Sequence, residues 1–168
     1  MTNFQFYLEK LYSSEDFQKF VEENRDAYLC SCFFVVDFEK SDNKQHFDYF
    51  VPSTKKIFSF KIESGCERVP VENLENKIFE KISDNYNFSF KELEKLVVER
   101  MEEEGVKSKI QKILLSLQNF EGKEYLAGTV FISAMGMIKI QIDLEEMKII
   151  EFEKKSFLDM FNVFKKKD

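Results

Sequence analysis

Tyr28-Leu29-Cys30-Ser31-Cys32-Phe33-Phe34-Val35, set against Tyr125-Leu126-Ala127-Gly128-Thr129-Val130-Phe131-Ile132, decides how this chain is expected to fold. Each octet opens on Tyr-Leu and closes on a β-branched residue, and both are made largely of residues that suit extended backbone. Further along, Lys56-Ile57-Phe58-Ser59-Phe60 stands against Lys148-Ile149-Ile150-Glu151-Phe152, with Ser64 opposite Ser156. The spacing between the two matches is shorter in the second half, as a shorter hairpin loop would make it. An amphipathic helical stretch precedes each strand set. Self-similarity of this kind comes before local assignment, because it constrains the whole architecture. The sequence therefore predicts an α+β protein built of two helix-plus-antiparallel-meander units. The first spans 1–64 and the second 87–168, with 65–86 as a linker holding a short helix.

Outward from those octets, the elements follow from periodicity and punctuation. Phe4, Leu8 and Leu11 share one helical face with Thr2 as the cap, and Ser13 or Ser14 opens a second helix striped by Phe17, Phe20 and Val21. That helix should fade near Asn24. Strands are expected over Tyr28–Phe38, His46–Val51 and Ile57–Ile62, with Pro52 at a strand end where its missing N–H does least harm. Leu74, Ile78 and Ile82 recur every four residues and suggest the linker helix. Ser89 followed by Glu92 is a capping box ahead of the stripe Phe90, Leu93, Leu96 and Val97. Ile110, Ile113, Leu114 and Leu117 carry a further helical face. Strands over Glu124–Ala134, Met137–Asp143 and Lys148–Glu153 complete the second unit, and 157–164 suggests a terminal helix.

Strand faces point to where a site would lie. Ile138, Ile140 and Ile142 alternate with Lys139, Gln141 and Asp143, the pattern of a half-exposed strand. In the octets, by contrast, apolar residues occupy both faces, so both faces need cover. A helix covers only one. The other must meet the second unit, with the two sharing a core or merging into one longer sheet, or else be a groove or dimer surface. The residues expected to line such a surface are Phe33, Val35, Val130 and Ile132.

Composition narrows the function classes. The chain has 168 residues, 43% of them hydrophobic, with 20 Phe and no Trp, enough for a substantial core. A net charge of −6 argues against nucleic acid, which demands a basic footprint. No apolar run approaches the roughly 18 residues of a membrane span, and no signal-peptide pattern opens the chain, so a cytoplasmic location is expected. Three cysteines cannot all pair with one another, which fits a reducing compartment.

Reactive side chains are sparse. Cys30 and Cys32 stand two apart on a strand, so their sulfurs are expected on the same face, where His46, Cys66 or a carboxylate could complete a soft-metal site. Ala127 and Thr129 hold the matching places in the second octet, so the small buried residue is the favoured reading, and no metal or cofactor is expected. His46 is the sole histidine. Glu102-Glu103-Glu104 reads as a solvated helix face and Asp143 as a turn residue. With Gly-rich phosphate loops and common metal-ligand spacings missing from the sequence, the chain is expected not to be an enzyme.

One resemblance enters here. A helix followed by a meander carrying Ile140-Gln141-Ile142-Asp143-Leu144-Glu145-Glu146-Met147-Lys148-Ile149 resembles the PepSY module of the cystatin-like class. That family ends on an apolar strand, an Asp, a turn usually bearing Thr-Gly, and a final apolar strand. Asp143 fits, Glu146 stands in the usual Thr place and Met147 in that of Gly. The first copy, Val51 to Ile57, keeps Thr54 without the Asp and Gly. Met or Lys is unfavourable in a left-handed position, so a different turn type is expected. The resemblance implies a small, non-enzymatic binding or regulatory module. Its partner would be a protein, a peptide or a small apolar ligand held in a Phe-lined cavity, with a homodimer among the outcomes.

Overall fold

A computed structural model describes residues 2–156, and the helix expected over 157–164 lies outside the described residues. Two short helices open the chain: α1 (Phe4–Tyr12) and α2 (Glu15–Glu23). Asn3, not Thr2, caps α1, its Oδ1 accepting the Phe6 N–H at 2.9 Å, while Ser14 Oγ accepts the Phe17 N–H at 3.4 Å at the start of α2. The strands β1 (Tyr28–Asp37), β2 (Lys44–Val51) and β3 (Lys56–Lys61) follow, then a 3-10 turn (Ile62–Ser64) and β4 (Glu67–Val71). After an irregular stretch, 72–88, comes α3 (Phe90–Glu103), with the full Ser89–Glu92 capping box in place. The strands β5 (Ile110–Phe120), β6 (Lys123–Ile132), β7 (Gly136–Asp143) and β8 (Lys148–Ser156) complete the described chain.

All eight strands join one antiparallel sheet in the order β4-β3-β2-β1-β5-β6-β7-β8. The merger happens where β1 pairs with β5, from Ser31 opposite Gln118 to Asp37 opposite Lys112. Alternate strand residues, among them Phe34, Phe47, Phe60, Leu115, Val130 and Ile140, face α1, α2 and α3 in one core. Aromatic rings build much of it: Phe34 lies 4.9 Å from Phe90 between centroids, and Phe17 lies 5.2 Å from Phe60.

Several expectations change. The linker places a strand, β4, inside 65–86, and the helix expected from Leu74, Ile78 and Ile82 is absent: Leu74 and Ile78 are exposed, while Ile82 alone is buried. A helical stripe needs a surface to pack on, and Leu74 and Ile78 meet none. Ile110 to Leu117, expected as a helix, is β5. The spacing 110, 113, 114, 117 satisfies a helical count, but Ile113, Leu115 and Leu117 also alternate, and pairing with β1 and β6 on both edges decides for strand. Tyr125 consequently lies in the second strand after α3, whereas Tyr28 lies in the first strand after α2. The expected change of turn type also fails. Met147 and Lys55 both take left-handed backbone, with φ of 51° and 55°.

Candidate interaction surface on the open sheet face

With the helices on one side, the opposite face can be read row by row from the strand register. One row runs Lys61, His46, Phe33, Ser116, Ala127 and Gln141. The next runs Lys44, Val35, Leu114, Thr129, Lys139 and Glu153. The second row has charged ends around Val35, Leu114 and Thr129, while the first runs from Lys61 through Phe33, Ser116 and Ala127 to the amide of Gln141. A shallow depression of about 400 Å³ sits there, walled by Phe33, Leu114, Lys139 and Gln141 and floored by Ala127 and Thr129. Small residues on β5 and β6 make it, since Ser116 and Ala127 stand between the longer Phe33 and Gln141.

Of the four residues expected to line a site, the structure brings two here. Phe33 and Val35 belong to the open face, though Val35 is buried at 6% exposure by its neighbours; Val130 and Ile132 lie under the helices, at 0% and 2%. The strand register separates them: Val130 pairs with Ile113, whose side chain joins the helix-covered core, while Thr129 pairs with Leu114 on the open side. Leu114, missed by the helical reading, is a wall of the depression. The alternation of Leu114 and Ser116 against Leu115 and Leu117 was the available signal.

The two cysteines are also parted. The β1–β2 register slips between Leu29 and Ser31, which leaves Cys30 as the extra residue of a β-bulge. Cys30 therefore packs with Phe50 and Ile57 on the open side, while Cys32 joins the helix-covered core. The sheet lies between the sulfurs, so the pair cannot share a metal. Among the described residues, no group of three His, Cys, Asp or Glu side chains could hold one. Burial pushes the Cys30 thiol up to about 12 and also raises those of Cys32 and Cys66, which keeps all three protonated near neutrality.

Two carboxylates near the open face have partners. His46 Nε2 meets Glu63 Oε1 at 2.6 Å, and Glu63 Oε2 also accepts the Gln45 N–H at 3.0 Å. Asp37 accepts the amides of Glu39 and Lys40, both at 3.0 Å, and lies 3.8 Å from Lys112 Nζ. The Lys40 amide above all holds the Asp37 carboxyl below its usual range. Asp143 is the turn residue expected of it, its Oδ1 accepting the Glu145 amide at 2.9 Å and the Glu146 amide at 3.1 Å.

The lower part of the face carries cover of its own. Phe79, from the irregular stretch, sits on Phe50 at 5.7 Å between centroids, and the Tyr28 hydroxyl donates to the Phe79 carbonyl. Beyond it, the Ile82 N–H donates to Leu29 O at 3.0 Å, and Ile82 enters the helix-side core. The segment thus wraps round the end of the sheet. A polar cleft of about 700 Å³ beside it is structural in character: Glu124 accepts the Tyr86 hydroxyl at 2.6 Å and the Ser83 amide, holding the segment against β6.

The sheet edges are guarded. Pro70 interrupts β4, and β8 combines a register slip at Gln141/Ile142 with Glu151, Glu153, Lys154 and Lys155. Proline, bulges and charge are the usual means of keeping an edge from pairing with another chain. No described helix is long and apolar enough to cross a membrane.

No protein-family model matches the chain, and no curated protein matches it in sequence. A solved structure, that of a "putative lipoprotein" (CD1622) from Clostridium difficile 630, shares the fold with a TM-score of 0.53 at 8% identity. The alignment covers 84% of this chain and 91% of that one, so the similarity is one of overall α+β architecture.

Proposed function

We propose that this chain is a non-enzymatic binding module whose open sheet face takes an extended polypeptide bearing apolar side chains. The observation that carries the reading is the central patch of Phe33, Leu114 and Thr129 over a nearly buried Val35, framed by Lys44, Lys139 and Glu153, on the side of the sheet away from the three described helices. An apolar centre with a charged rim is the usual anatomy of a protein-binding patch. The guarded edges favour the face over strand addition. An extended partner is favoured because the chain's own stretch around Phe79 already lies on this face without helix or strand.

We also read the order helix, then four-stranded meander, twice over, as divergent duplication of one PepSY-like unit. The small-ligand carrier is the weaker reading. The space between helices and sheet that would form its cavity is packed with stacked rings, Phe4 on Phe88 at 5.2 Å among them.

Selection of random peptides displayed on phage tests the proposal. Enriched peptides should carry aromatic or aliphatic residues and lose binding by tenfold or more to Phe33→Asp or Leu114→Lys protein. Peptides that bind these variants as well as the parent would contradict it. Retention of an apolar small molecule in native mass spectrometry would favour the carrier instead.

A further inference from the structure

The irregular stretch 72–88 is more than a connection. Phe79 completes a small cluster separate from the main core, with Cys30, Phe50 and Ile57 buried beneath it and Tyr28 at its side. This cluster is on the same face as Phe33 and Leu114, one continuous side of β1. What holds residues 72–80 there is modest, the firmer anchors beginning at Ile82. The Tyr28 hydroxyl bonds the Phe79 carbonyl, Asn73 Nδ2 bonds Lys55 O at 3.0 Å, and the Gly122 N–H bonds Glu80 Oε2 at 3.2 Å. Ahead of Ile82, which is buried in the main core, its other large apolar residues are turned away from the protein, with Leu74 at 87% and Ile78 at 75% exposure. A segment that presents one aromatic ring inward and two aliphatic side chains to water behaves as a strap. It gains little from staying closed, and local opening at low free energy is expected of such a region.

Resting on the reading of the open face as a binding surface, we infer that residues 72–80 are a displaceable strap, anchored at its far end by Ile82 in the main core. Its Phe79 occupies, from within the chain, a side-chain site formed by Tyr28, Cys30, Phe50 and Ile57 that accepts an aromatic residue of a partner segment. Opening would expose a second apolar site on the face, separated from the patch at Phe33 and Leu114 by the polar row Asp48, Ser31 and Gln118. The strap therefore tunes affinity: a partner must displace Phe79 to use both apolar sites.

The two cysteines parted by the bulge supply the test. In a Cys66→Ser background, Cys30 and Cys32 are the remaining thiols. Alkylation by iodoacetamide, followed residue by residue by mass spectrometry, should modify Cys30 through strap opening and Cys32 through global unfolding alone. Phe79→Ala should raise the Cys30 rate tenfold or more and leave the Cys32 rate unchanged. Tyr28→Phe, which removes a single hydrogen bond, should raise the Cys30 rate by a smaller factor. A synthetic peptide of sequence 72–80 added to the Phe79→Ala protein should slow Cys30 again, while the same peptide with Ala in place of Phe should not. Cys30 and Cys32 rates that rise together in both variants, an unmoved Cys30, or no protection by the Phe-bearing peptide would overturn the strap. Display-selected peptides indifferent to Phe33 and Leu114 would remove the binding-face reading while leaving a Cys30 response intact, so the two failures are distinguishable.

Discussion

Gly128 shows how closely single residues are fitted in this sheet. A Cβ added there would stand 2.8 Å from Ile140 Cγ1 and 3.1 Å from Leu115 Cδ2, so Ile140 must move to admit it. Gly128→Ala should cost about 1–3 kcal/mol by denaturant titration, the range for overpacking a filled core. The opposite change is expected at the β6–β7 turn. Exposed Ala134 has φ of 63°, and relieving left-handed backbone while adding chain entropy to the unfolded state leaves Ala134→Gly about 0.5–1 kcal/mol more stable. Asp37 gives a pH signature. Its carboxyl is depressed chiefly by the Lys40 amide, so its contribution is present above the unfolded carboxylate value of ~3.9 and is lost as pH falls through that value to the folded one. Asp37→Asn should flatten the acid limb of a stability–pH curve; an unchanged limb would refute the assignment. Residue-level reading of the sequence was sound where a local rule suffices, as at Asp143 and the Ser89–Glu92 box. It failed where one residue shifts a register. Nothing in Leu29-Cys30-Ser31 announces the bulge that sends Cys30 and Cys32 to opposite faces.

Elements were legible in proportion to how locally they are determined. The three helices and the strands β1, β2, β3, β6, β7 and β8 follow from stripes, alternation and turn residues. The strand β5 does not, since Ile110, Ile113, Leu114 and Leu117 fit both periods and the choice is made by pairing with distant β1. The strand β4 is short, half-exposed and interrupted by Pro70, and its identity likewise comes from its neighbour β3. For the surface, Phe33 and Val35 were readable from two-faced alternation, but Leu114 and Phe79 were hidden by the same helical misreading of β5 and the strap. At this scale α3 offers a clean check. Ser89 Oγ accepts the Glu92 N–H at 3.1 Å, while Glu92 Oε2 accepts the Ser89 N–H at 3.0 Å. Ser89→Ala should lower stability by about 1 kcal/mol, measured by urea unfolding followed by circular dichroism. A change below a few tenths would mean that the helix start is held by packing of Phe90 alone.

The whole molecule is a sheet dressed on one side. Among the described residues, all three helices and most of the buried Phe side chains serve one face, and the other face is left with a small apolar centre and a strap over its lower part. The fold follows from alternation carried across eight strands, and the proposed role follows from what that alternation leaves uncovered. Methyl relaxation by a soluble nitroxide, recorded with and without a display-selected peptide, tests this most directly. The account predicts strong relaxation at Leu114 and Thr129, protection of their strand neighbours Leu115 and Val130, and suppression of the Leu114 and Thr129 effect when the peptide is added. Equal protection of Leu114 and Leu115 in the free protein, or peptide that leaves Leu114 and Thr129 as accessible as before, would contradict it.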